Sequence, residues 1–152
     1  MGGADGNLEA VRRLFETGRD YIKGDREAFE AVVREVCAED VEVMPSSALA
    51  SGDAGPFYGH RGLLSQQAGV ADRWADFDIT PEDYVEVSPN VVVLLGKVSA
   101  RRGDGSGYAM ELGIVNRFED GRIAAIHSYQ SKSRALEEAG LKDLRAVARP
   151  GK

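Results

Sequence analysis

Two apolar-rich runs joined by Glu119-Asp120-Gly121 constrain this chain more than any other feature. An acidic residue followed by glycine between such runs is a strong signal for a tight β-hairpin turn. Residues 108–130 therefore read as two paired strands. On the first arm Met110, Leu112, Ile114, Asn116 and Phe118 share one face, and Glu111, Gly113, Val115 and Arg117 share the other. The first face is apolar except for the amide of Asn116. On the second arm Ile123 and Ile126 are three apart, a spacing that suggests a bulge. The inward set is then Ile126, Ser128 and Gln130. A slip of one residue exchanges these for His127 and Tyr129.

Upstream, the periodicity is helical. Asn7 is placed to cap a helix whose stripe is Leu8, Val11, Leu14, Phe15, Tyr21 and Ile22, with Gly24 as its stop. Asp25 opens a second helix with Phe29, Val32, Val33 and Val36 on one side. Val41 to Met44 reads as a short strand ended by Pro45. Residues 45–58 form the longest loop, rich in Ser, Gly, Ala and Pro. A third helix after Gly59 carries Leu63, Leu64, Gln67, Val70, Ala71 and Trp74. Strands follow at 77–87, broken by Pro81, and at 91–101. A short helix at 133–139 is capped by Gly140. Residues 7–141 make one domain, and 1–6 and 142–152 are expected to be flexible or accessory ends.

Helices first and a strand meander afterwards predict an α+β domain with helices packed on one face of an antiparallel sheet. Residues 91–95 are apolar at every position, whereas a strand with one wet face alternates. Both faces are therefore covered there, either by a second copy of the chain, giving a homodimer, or by the last helix and tail.

The chain has 152 residues and a net charge of −6, with nothing basic enough to track a phosphate backbone. Nucleic acid is thus not an expected partner, and neither is a membrane, since no apolar run approaches the ~20 residues a spanning helix needs. The start lacks the basic and apolar segments of a signal peptide, and the single cysteine, Cys37, excludes an internal disulfide. A cytoplasmic protein is expected. Two histidines and one cysteine far apart give no metal-ligand spacing. The glycine-rich run 103–107 joins strand to strand rather than strand to helix, so it is no phosphate loop. Neither metal nor cofactor is expected.

The order of elements resembles the nuclear transport factor 2-like superfamily, and within it the SnoaL-like, ketosteroid-isomerase-like branch. The resemblance is carried by the first helix ending in Gly24-Asp25, by Glu39-Asp40-Val41-Glu42-Val43, and by Phe57-Tyr58-Gly59-His60-Arg61-Gly62-Leu63. It continues through Asp76-Phe77, Pro81-Glu82-Asp83, Arg117-Phe118-Glu119-Asp120-Gly121-Arg122-Ile123 and Arg134-Ala135-Leu136-Glu137-Glu138-Ala139-Gly140-Leu141. It implies a cone: a curved antiparallel sheet wrapped around three helices, a pocket at the wide end, and a dimer through the convex side. Ketosteroid isomerases of this fold use a tyrosine on the first helix, an aspartate base before the long loop and an acid on the third sheet strand. The matching positions hold Thr17, Met44 or Pro45, and Ile114. None of these can move a proton or hold an enolate by that mechanism.

The same alignment nominates pocket-lining residues: Met110, Leu112, Ile114, Asn116, Ser128 and Gln130 from the sheet, and Phe15, Tyr21, His60, Leu64, Gln67 and Trp74 from the helix side. Asn116 and Gln130 either lend polarity to the pocket or satisfy internal hydrogen bonds. His60 is either a solvent-facing helix-start residue or a rim group. His127 faces the dimer side, sits satisfied in the core, or serves as a general acid or base. Asp53, in the long loop, is the other catalytic candidate. The expected ligand is a small apolar or amphipathic molecule. The reading divides between an isomerase-, cyclase- or hydrolase-type enzyme and a non-catalytic binder or interaction module.

Overall fold

In a computed structural model that describes residues 3–45 and 56–148, helices and strands follow the expected order. The elements are α1 (Gly3–Ile22), α2 (Arg26–Val36), β1 (Cys37–Met44), β2 (Phe57–Tyr58), α3 (Gly59–Arg73), β3 (Asp76–Ser88), β4 (Val91–Arg101), β5 (Gly107–Glu119), β6 (Arg122–Tyr129) and α4 (Lys132–Ala148). The strands form one sheet in the order β2-β1-β6-β5-β4-β3. The result is an α+β cone, with α1, α2 and α3 against the inner face of a curved sheet.

The hairpin forms at the predicted turn. Asp120 and Gly121 both have positive φ, 54° and 80°, the conformation a tight two-residue turn demands and that Asp-Gly supplies at low cost. The pairing shifts by one residue: Arg117 faces Ala125, but Phe118 faces Ile123. Ala124 is the extra residue, and this bulge lets Ile123 and Ile126 both point inward. They are 0% and 5% exposed.

Several expectations need correction. The sheet is mixed rather than purely antiparallel, because β1 runs parallel to β6. α1 starts at Gly3, so Asn7 lies inside the helix instead of capping it, and its Nδ2 donates to the Pro89 carbonyl at 2.9 Å. This bond ties α1 to the β3–β4 turn. Asp25 occupies the N-cap of α2 but makes no side-chain cap bond. Pro81 does not interrupt β3, because β3 is an edge strand and the pairing shifts between Pro81 and Asp83.

The largest difference is α4. It lies across the outer face of the sheet, where Ala135 and Ala139 are buried with Val91, Val93 and Val115. Val92 and Leu94 join the inner core. The continuous apolar run at 91–95 is thus covered on both faces within one chain, and it gives no argument for a second copy. Each fully buried valine there contributes roughly 1.5–3 kcal/mol. The helix approaches this closely because Gly113, on β5, has no side chain: a Cβ there would stand 2.3 Å from the Ala135 Cβ. Polar ties fix its first turn and register. The Lys132 ammonium pairs with Glu82, the Lys132 N–H donates to Glu111 Oε1 at 3.0 Å, and Arg117 Nη2 donates to the Glu138 carbonyl at 2.9 Å. The Lys132 hydrogen bond holds the Glu82 carboxyl below its usual range.

Candidate functional site

The inner face of the cone is where the elements converge on a cavity. α1 contributes Leu14, Phe15, Gly18, Arg19 and Ile22, a spacing that keeps all of them on one helical face. α3 contributes Leu63, Gln66, Gln67 and Val70 at helical intervals, and α2 adds Phe29. The sheet supplies alternate residues, as a pleated wall must. These are Phe77 and Ile79 from β3, Val98 from β4, Leu112 and Ile114 from β5, and Ile126 and Ser128 from β6. Val43 and Pro45 complete the wall at the end of β1.

The cavity encloses about 90 Å³. A larger hollow of about 720 Å³ lies around Glu42, Arg117 and Ala125, but it is more open and its lining is more polar. The inner cavity is the better candidate because ligand sites are concave and mainly apolar, with few polar groups. Its polar side chains are Arg19, Gln66, Gln67 and Ser128. Gln67 Nε2 donates to the Gly18 carbonyl at 2.9 Å, bracing α3 against α1. Arg19 is the one ionisable side chain among the described lining residues, and its Nε donates to Asp78 Oδ1 at 3.0 Å.

A SnoaL-like domain model matches residues 11–126. The chain belongs to the SnoaL-like family. Solved structures agree on the fold at low identity. An NTF2-like protein of unknown function from Burkholderia pseudomallei is 20% identical, with a TM-score of 0.66 over 88% of this chain and 97% of that one. A putative SnoaL-like polyketide cyclase from Jannaschia is 14% identical, with a TM-score of 0.68 over 89% and 92%. A Mycobacterium tuberculosis protein crystallised with estradiol-17β-hemisuccinate is 16% identical, with a TM-score of 0.64 over 84% and 95%. No curated protein matches the chain in sequence.

Within this SnoaL-like cone, Phe15, Gln67, Leu112, Ile114 and Ser128 stand on the cavity wall. The other nominated residues lie elsewhere. Tyr21 is buried edge-on against Phe29, with ring centroids 5.3 Å apart. Trp74 packs with Val70, Ala100, Ile22 and Phe77 beneath the guanidinium groups of Arg73 and Arg102. Leu64 and Met110 pack at the margin of the core, and Gln130 is not on the wall. His60 Nε2–H donates to the Cys37 carbonyl at 3.0 Å, which makes it a tie between α3 and β1 rather than a rim group.

Asn116 points inward and pairs with Ile126, which lines the cavity, but is not itself on the wall. It is fully buried, and its Nδ2 donates to the carbonyls of Val92 and Ile114 at 3.1 and 3.2 Å. Its Oδ1 has no partner among the described residues. His127 points outward. It is paired across β5–β6 with Val115, and its Nε2 lies 3.3 Å from Glu42 Oε1 on β1. The bulge at Ala124 sets this register, so His127 cannot reach the cavity. Asp53 lies outside the described residues. Among the described residues no three His, Cys, Asp or Glu side chains cluster to hold a metal, and no helix is long and apolar enough to cross a membrane.

Cys37 is fully buried, and desolvation pushes its thiol pKa up to about 12. A thiolate is the reactive form, so this cysteine is inert in the folded chain. An aromatic disulfide reagent at neutral pH should release no colour from native protein and one equivalent after denaturation. Rapid reaction of the native protein would contradict the burial.

Proposed function

We propose that this protein binds a small, mostly apolar molecule in the cone cavity. The observation that carries the reading is a mainly apolar cavity lined by eight elements, with a few polar side chains set into its wall. The complex of the mycobacterial relative with a steroid ester supports it. The described wall holds no carboxylate, imidazole, thiol or phenol. It therefore offers shape and orientation, and no group suited to general acid or base catalysis at neutral pH. Ile114 stands where the related isomerases keep an acid. Holding a ligand is the role these side chains serve.

The only tryptophan, Trp74, packs on Val70 and Phe77, which line the cavity. Its fluorescence should therefore report occupancy. Titration with hexan-1-ol should give a saturable change, and Ile114→Phe, which pushes a ring into the space, should weaken binding by about tenfold or more. Equal affinity in the two proteins, or no saturable binding to the wild type, would overturn the reading.

A further inference from the structure

We infer that the cavity takes an amphipathic anion, with its apolar body among the core side chains and its carboxylate or similar head held by Arg19. This rests on the reading of the cavity as a binding site and adds the chemical class of the ligand. Arg19 lies on the same face of α1 as Phe15 and Ile22, so its stem belongs to the cavity wall. Its side chain is 37% exposed, so it stands where the wall meets solvent.

The geometry leaves the right atoms available. A guanidinium carries five N–H donors, one on Nε and four on the terminal nitrogens. Asp78 takes the Nε hydrogen at 3.0 Å, and it is the only side chain that bonds to Arg19 among the described residues. Among the described residues, the two terminal nitrogens retain their hydrogens for another acceptor. Asp78 orients the group from one side, and a planar pair of donors remains for a two-oxygen anion. A lysine here would be a point charge without that fork. Gln66, on the facing helix α3, adds a neutral amide to the same wall. A wholly apolar ligand would leave these donors to water, whereas an alkyl or aryl carboxylate matches both the apolar interior and the cation at its margin.

The pair neutralises itself in part, because Asp78 opposes the Arg19 charge. The selectivity therefore comes from directed hydrogen bonds, which calls for a matched comparison rather than a bare affinity. Hexanoate and hexan-1-ol share a chain length and differ in the head, and hexanoate is ionised at neutral pH. Wild-type protein should bind hexanoate about tenfold more tightly, equivalent to about 1.4 kcal/mol. Arg19→Gln should abolish that preference, read as the ratio of the two affinities measured on the same variant. The preference in the wild type should also shrink as salt rises from about 0.05 M to about 1 M, since screening acts on partly exposed charges. This salt arm needs no variant.

The outcomes separate the two claims. If neither compound binds the wild type, the cavity is no ligand site and both readings fall. If both bind equally well, or if Arg19→Gln keeps the preference, the cavity binds ligand but the anion inference is wrong.

Discussion

Asn116→Asp should cost about 3–5 kcal/mol of stability at neutral pH, one of the largest effects available from a change of so few atoms. Asn116 is completely buried, and its Nδ2 donates to the carbonyls of Val92 and Ile114. Both partners are acceptors, so the orientation of the amide is fixed: a flipped amide would set oxygen against oxygen. An ionised carboxylate does the same and adds a charge. Its second oxygen gains nothing, since Oδ1 already lacks a partner among the described residues. The folded chain relieves this by keeping the new carboxyl protonated, which raises its folded-state pKa. The variant is then least destabilised below the unfolded carboxyl value of about 3.9 and loses stability as pH rises through the higher folded value. Urea denaturation at about pH 4 and about pH 7 would show the loss growing with pH relative to the wild type. A loss of the same size at both would mean the site is wetter than its burial implies. Asn116→Leu removes the donors without adding charge and should cost only about 1–2 kcal/mol, with little pH dependence.

This amide also shows where sequence and structure part. Its inward direction was legible, because strand alternation fixes it once the Asp120-Gly121 turn is placed. Its place off the cavity wall was not, because alternation says which face a residue is on and nothing about how far along the cone the cavity extends. The same holds for His127. Ile123 and Ile126 could both be buried only through a bulge, and placing that bulge at Ala124 settles that Ser128 faces in and His127 faces out. The helix side was harder. On α1 the stripe pointed to Phe15 and Tyr21, yet the cavity meets Phe15, Gly18, Arg19 and Ile22, and Tyr21 turns toward Phe29. A charged residue beside an apolar stripe reads as a solvated one, so residue type alone does not place Arg19 on the wall. Its position, four after Phe15 and three before Ile22, was the available signal. On α3 Leu63 and Leu64 are adjacent, and periodicity does not separate the one that lines the cavity from the one at its margin. The β1–β6 pairing is parallel and joins strands far apart in sequence, so no local pattern encodes it. The apolar run at 91–95 said correctly that both faces are covered, but hydrophobicity does not name the cover.

That cover gives the second large effect. Gly113→Ala should destabilise the protein by about 2 kcal/mol, although alanine suits a strand at least as well as glycine. The added Cβ would lie 2.3 Å from the Ala135 Cβ and 3.3 Å from the Ser131 carbonyl, so α4 must shift outward. The shift loosens the packing of Val91, Val93 and Val115 and strains the bonds that Lys132 and Arg117 make across the junction. Ala135→Gly alone should cost about 1 kcal/mol through helix propensity. The double variant restores the space from the other side, so its loss should be smaller than the sum of the single losses by about 1 kcal/mol or more. Simple additivity in chemical denaturation would show that the two positions do not touch. Hydrogen exchange should place the loosening in α4 and β4. Hexan-1-ol affinity should stay close to that of the wild type, because Leu112 and Ile114, the neighbours of Gly113 on β5, point into the cavity while Gly113 points away. A single strand thus carries the cavity wall on one face and the helix seat on the other, and a change at residue 113 should separate stability from binding.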